Sequence, residues 1–181
     1  MGTIAEDKKI NNTHILRSQD QTMVVRGNYS YTIALMNDNR GVLAKVISKA
    51  GERLNRGDEV IFMDVNQVRK AYRFIEAPRT NRSSDTPVYE NILQLDMAAI
   101  QWFSSTAIGT LYLKNNTSNQ MRKLTVAGGR QAEFKQKAVC FTQRLDPNLV
   151  KDVKVDADLP TPAAGKPISA TSSLQKPKVR V

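Results

Sequence analysis

The run Tyr29-Ser30-Tyr31-Thr32-Ile33-Ala34-Leu35 alternates large apolar with smaller residues, so Tyr29, Tyr31, Ile33 and Leu35 fall on one face of an extended strand. A chain holding such a segment has to bury one face of a sheet. The other apolar runs are short enough to join it. Residues 23–25, 59–65 and 70–75 read as strands, the last with Tyr72 and Phe74 on one face. Residues 108–113, 123–126 and 132–141 read as three more. Asn115-Asn116-Thr117-Ser118-Asn119 and Gly128-Gly129 separate those three as turns, the layout of an antiparallel meander.

Residues 40–55 are expected to form a helix. Asn37, Asp38 and Asn39 offer N-cap chemistry, Val42, Val46 and Ala50 recur every four residues beside Leu43, Ile47 and Leu54, and Gly57 is a stop. Residues 88–103 fit two periods: Leu93, Leu95 and Met97 alternate as a strand, while Tyr89, Leu93, Met97 and Ile100 make a helical stripe. Residues 77–87, with Pro78, Pro87 and a Ser-Ser-Asp-Thr cluster, read as a loop. The expected fold class is α+β and predominantly β, an antiparallel sheet or sandwich with one or two helices, 40–55 first among them. A polar N-terminal arm (1–21), one globular domain (22–145) and a Pro-rich C-terminal arm (146–181) complete the organisation; five of the seven prolines lie in the last segment.

Composition narrows the chemistry. The 181 residues include one Cys, Cys140, and one His, His14, so neither an internal disulfide nor a Cys/His zinc site can be built within one chain. No apolar run approaches the roughly 20 residues needed to span a bilayer, and no leader segment is expected at the N-terminus. His14 is expected on the surface of the arm, and Cys140 inside an apolar strand. Asp58 and Glu59 are neighbours on a strand and point to opposite faces, so they do not converge. No catalytic residue, metal site or cofactor is expected.

Residues 33–47 run Ile-Ala-Leu-Met-Asn-Asp-Asn-Arg-Gly-Val-Leu-Ala-Lys-Val-Ile. This resembles the opening of an ACT regulatory domain, where a strand leads through an Asp-Arg-Pro-Gly-Val-Leu turn into a helix. The family's proline is replaced here by Asn39 and Arg40 in altered order. The resemblance implies, as an alternative, a ferredoxin-like core that binds an amino acid at the turn from Asn37 to Gly41.

Charge placement carries the functional expectation. The formal net charge is +10. Between residues 97 and 145 stand Lys114, Arg122, Lys123, Arg130, Lys135, Lys137 and Arg144 against Glu133 alone. A second cluster is Arg69, Lys70, Arg73, Arg79 and Arg82, and the tail adds Lys166, Lys176, Lys178 and Arg180 with no acid after Asp158. Lys135 and Lys137, two apart on an expected strand, would share a face. These cations are the candidate surface for nucleic acid or an acidic partner, with Tyr72, Tyr112 and Phe134 as candidate stacking rings. The expected function is a non-enzymatic structural assembly protein, a virion or phage-particle component such as a coat, cement or connector subunit. Its partners would be other copies of itself, neighbouring subunits and nucleic acid, not a membrane, and its location the virion or the cytoplasm of the producing cell. The alternatives are a nucleic-acid-binding protein that uses a basic sheet surface and an ACT-like small-molecule module.

Overall fold

The fold is α+β and predominantly β, built from two antiparallel sheets and two helices. A computed structural model describes residues 3–81 and 85–160. The first sheet contains β1 (Ile4–Ile10), β2 (Thr13–Ser18), β3 (Gln21–Arg26), β4 (Tyr29–Asp38) and β5 (Gly41–Lys49), with β8 (Arg79–Asn81) and β9 (Val88–Gln94). Its order is β1-β2-β4-β5-β9-β8; β3 shares with β2 one edge of β4. The second sheet is β11-β10-β6-β7, made of β6 (Glu59–Asp64), β7 (Arg69–Arg73), β10 (Ile108–Asn115) and β11 (Gln120–Thr125). The Phe74 to Leu93 bridge and the Ile75 N–H to Ile92 carbonyl bond join the end of β7 to β9 and so link the sheets. Helices α1 (Met97–Ser105) and α2 (Gly128–Arg144) pack on each other.

The expected strand at 29–35 is β4, and Tyr31, Ile33 and Leu35 are fully buried on its inner face. The expected helix at 40–55 is instead strand β5. A spacing of four is also twice a spacing of two, so Val42 and Val46 share a strand face with Ala44, and all three are buried. Pairing settles the period: β5 sits between β4 and β9 and is bonded along both edges. The Asp38 carboxylate accepts the Arg40 N–H at 2.8 Å, and Gly41, at φ +108°, completes a hairpin turn in place of a helix start. The ferredoxin-like alternative fails with it, because the helix after the first strand of that core is absent.

The opposite correction applies to 132–141, expected as a strand and found within α2. Phe134, Ala138 and Phe141, spaced four and three, make the buried stripe, and Gly128-Gly129 opens the helix instead of turning a hairpin. The two periods read in 88–103 are both present in succession. Strand β9 ends at Gln94, and Asp96 caps α1 by accepting the Ala99 N–H at 2.8 Å.

Neither terminus of the body ends where expected. Within the segment expected as a polar arm, residues 4–18 form the β1–β2 hairpin, and β2 pairs with β4 of the domain. His14 is 1% exposed. Its Nε2 donates to Asp7 Oδ1 at 2.7 Å, and its Nδ1 accepts the Asp146 N–H at 3.1 Å. At the other end the body continues past residue 145. After a 3-10 turn (Pro147–Leu149) the chain runs as a strap: Asp152 Oδ1 accepts the Met97 N–H, Val155 N–H donates to Asp96, and residues 157–159 add to the outer edge of β7 through Ala71 and Arg69. The expected arm beyond residue 160 lies outside the described residues.

The core centres on Phe103 of α1. Its ring lies 4.8 Å from Phe62, 5.2 Å from Phe134 and 6.4 Å from Tyr72, so it joins the inner face of the second sheet to α2. Phe103→Ala is therefore expected to cost about 3–5 kcal/mol in urea unfolding, the range for emptying a packed aromatic site.

Candidate functional site

The pleat divides the second sheet into a packed and a bare face. Phe62, Leu111, Leu124, Val60, Tyr72 and Leu113 point inward and are buried. The alternate residues point outward in three cross-strand rows. One is Lys123, Tyr112, Ile61 and Ala71; the next is Met121, Lys114, Glu59 and Arg73; the third is Thr125, Thr110, Met63 and Arg69. Phe103 and Phe134 pack from the inner side, so neither α1 nor α2 lies over these rows. The result is a half-buried apolar centre of Tyr112, Met63 and Ala71 around Ile61, itself only 6% exposed beneath its neighbours, with Met121 55% exposed at one side and four cations around it.

The electrostatics of the face are one-sided. Glu59 is its single carboxylate, and that charge is already answered: Arg73 Nε donates to Oε1 at 3.2 Å, and Asn116 Nδ2 donates to the same oxygen at 3.2 Å. Arg69 Nη2 donates to the Pro160 carbonyl at 2.7 Å, so it ties down the strap. Among the described residues neither Lys114 nor Lys123 has an ion-pair partner. Lys123 stands directly across from Tyr112, which places a cation beside the one ring on this face.

Of the cations expected to act together, the structure gathers Arg69, Arg73, Lys114 and Lys123. Lys70 alternates to the inner side, over the Trp102 ring at 5.3 Å and 3.5 Å from Asp158. Arg122 does likewise, over Tyr29 at 4.4 Å and 3.7 Å from Glu52. Arg79 belongs to the first sheet. Arg130 and Lys137 line a shallow trough with Asp20, Gln21 and Glu133, where Lys137 Nζ donates to Gln21 Oε1 at 2.6 Å. Lys135 and Lys137 do not share a face, because two helical residues are turned about 200° apart. Arg144 pairs with Asp7 at 3.4 Å. Arg82, Lys166, Lys176, Lys178 and Arg180 lie outside the described residues.

The ring assignments change too. Tyr72 and Phe134 are each 1% exposed and belong to the core. Burial, with Asp96 and Asp158 nearby, pushes the Tyr72 hydroxyl above its ordinary range. Tyr112 alone remains half-buried on the surface. The apolar partners Met63 and Met121 and the carboxylate Glu59 were missed as members of the face. Their signal is the i, i+2 spacing of Met121 with Lys123 and of Tyr112 with Lys114, but only the register between strands shows that these pairs adjoin.

The buried acids hold loops. Asp58 accepts the Asn55 and Asn116 N–H groups, and Asp64 accepts Asn66, Val68 and the Trp102 indole N–H. Among the described residues no group of three His, Cys, Asp or Glu is placed to hold a metal. Cys140 is half-buried on α2, not in a strand. No protein-family model, curated protein or solved structure matches the chain.

The two tyrosines should separate cleanly in melting experiments. Tyr72→Ala empties a core site and is expected to cost about 3–5 kcal/mol, whereas Tyr112→Ala should stay within about 1 kcal/mol of the parent.

Proposed function

We propose that this chain is a non-enzymatic protein that holds nucleic acid on the outer face of the second sheet. The observation that carries the reading is that Lys123 and Lys114, which have no ion-pair partner among the described residues, stand beside the surface ring of Tyr112 on a sheet face that neither α1 nor α2 covers. Cations on such a face bind phosphates by releasing counterions, and a tyrosine ring offers a stacking surface to any base. The free edges favour this over assembly by strand pairing. The outer strand β1 carries Glu6, Asp7, Lys8 and Lys9, the described part of β8 is Arg79–Asn81 with Arg79 on it, β11 carries Arg122 and Lys123, β7 is covered by 157–159, and β3 has α2 packed beside it. Charge and cover are devices that keep sheet edges from pairing with other chains.

A fluorescent single-stranded oligonucleotide titrated at several salt concentrations tests the reading. The double variant Lys114→Glu, Lys123→Glu is expected to bind at least tenfold more weakly, with the slope of log K against log salt reduced by about 2. Unchanged affinity in a folded double variant would overturn the proposal.

A second reading, a subunit of a larger particle such as a virion, rests on the strap. Residues 146–160 already run extended over a body and complete a sheet edge, as an assembly arm does on a neighbour. On this reading the full chain elutes from a sizing column as a salt-resistant oligomer, and the chain ending at Pro160 elutes as a folded monomer. Identical monomeric elution of both would sink it.

A further inference from the structure

A second cationic cluster surrounds a cavity of about 140 Å³ on the outer face of the first sheet, away from the face just described. Arg17, Arg40, Lys45 and Arg79 line it with Glu76, Glu90 and the apolar Met36 and Ile92. Strand register brings them there. Arg17 of β2 stands opposite Met36 of β4, Lys45 of β5 opposite Ile92 of β9, and Arg79 of β8 opposite Glu90.

Three of the four cations are answered by carboxylates. Arg40 Nη2 is 2.8 Å from Asp38 and its Nη1 3.6 Å from Glu76; Arg79 Nε is 3.9 Å from Glu76; Lys45 Nζ is 3.5 Å from Glu90. Arg17 is not answered. Its Nε is closed off from solvent and makes no hydrogen bond. Glu6, its cross-strand neighbour, turns its carboxylate to Lys8 at 2.7 Å and acts on Arg17 only through space, without an ion pair. A guanidinium held partly out of water with a donor unused carries a desolvation cost that an anion would offset.

We propose that this cavity binds a phosphate-type oxyanion, seated on the Arg17 guanidinium and framed by Lys45, Arg40 and Arg79. Four cations against Asp38, Glu76 and Glu90 leave one positive charge over, which suits a singly charged oxyanion such as dihydrogen phosphate or a phosphodiester. The space is well below the roughly 300–1,000 Å³ that whole small molecules occupy, so it takes the anionic group and not a larger body. Arg presents paired donors that match two oxygens of such a group, and the apolar Met36 and Ile92 strengthen the attraction by keeping water away.

Thermal unfolding in sodium phosphate against sodium chloride of equal ionic strength tests the site. Phosphate is expected to raise the parent's Tm by about 3 °C more than it raises that of Arg17→Gln, since the general effect of the salt is common to both. Arg17→Lys keeps the charge without the paired donors and should retain less than half of that difference. Arg79→Gln, whose side chain is 79% exposed on an edge strand, provides a variant with little risk to folding and should lower it too. The oligonucleotide titration separates the two sources of the group. An Arg17→Gln affinity loss of about threefold or more, with the salt slope reduced by about 1, assigns the site to a nucleic-acid backbone. Loss of phosphate protection with unchanged oligonucleotide binding assigns it to free phosphate. Equal phosphate protection in the parent and all three variants, with no change in oligonucleotide binding, overturns the proposal, whatever Lys114 and Lys123 do.

Discussion

The contact of Phe103 with Phe62, Tyr72 and Phe134 decides which surfaces of this molecule are buried and which are left bare. Helix α1 follows β9 directly, and its Asp96 cap fixes where it starts. Once Phe103 is inserted against the second sheet, α1 has to lie on that sheet's inner side. Helix α2 then reaches the same ring through Phe134 and closes the core along β3. Both helices are thereby committed to one side. Neither helix of the described residues therefore lies on the opposite face of β11-β10-β6-β7, and Lys123 and Tyr112 reach the surface there as a consequence of core packing.

The strap gives the second constraint. It leaves α2 beside His14, crosses the turn before β5, satisfies the start of α1 and ends on β7. Gly41 shows how close the crossing is: a Cβ there would sit 2.5 Å from the Lys151 carbonyl oxygen. One segment therefore holds the N-terminal hairpin, the helix start and a sheet edge. Asp146 belongs to the same network, its carboxyl held below the ordinary aspartate range by the Asn148 N–H and then by Lys9.

Strands whose buried faces are apolar were legible: β4 by its alternation, and β6, β7 and β10 as short apolar runs. Residues 42–50 and 134–141 were not, and for one reason. A spacing of four satisfies both a helix and a strand, and the choice in β5 is made by hydrogen bonds to β4 and β9, partners that local pattern does not contain. In α2 the choice is made by Phe134, Ala138 and Phe141 meeting α1. The hairpin β1–β2 was hidden because its inward positions include His14 and Ser18, polar residues buried by bonding to Asp146 and to Leu35. The basic face was half legible: its cations stand out in the chain, but sheet order joins Arg73 to Lys114, forty-one residues apart, across Glu59.

The net charge of +10 is likewise rearranged by folding. Lys9, Arg40, Lys45, Lys70, Arg73, Arg79, Arg122 and Arg144 each face a carboxylate. Among the described residues the cations without a carboxylate partner include Lys114 and Lys123 on one sheet face and Arg17 on another, with others such as Arg130 and Lys135 on α2 and Lys154 on the strap. Pro160, held by Arg69, lies at the rim of the first of these. Beyond it the sequence carries Lys166, Lys176, Lys178 and Arg180 and no acid. On the nucleic-acid reading these cations raise the electrostatic attraction of the whole chain for phosphate without any new contact on the sheet.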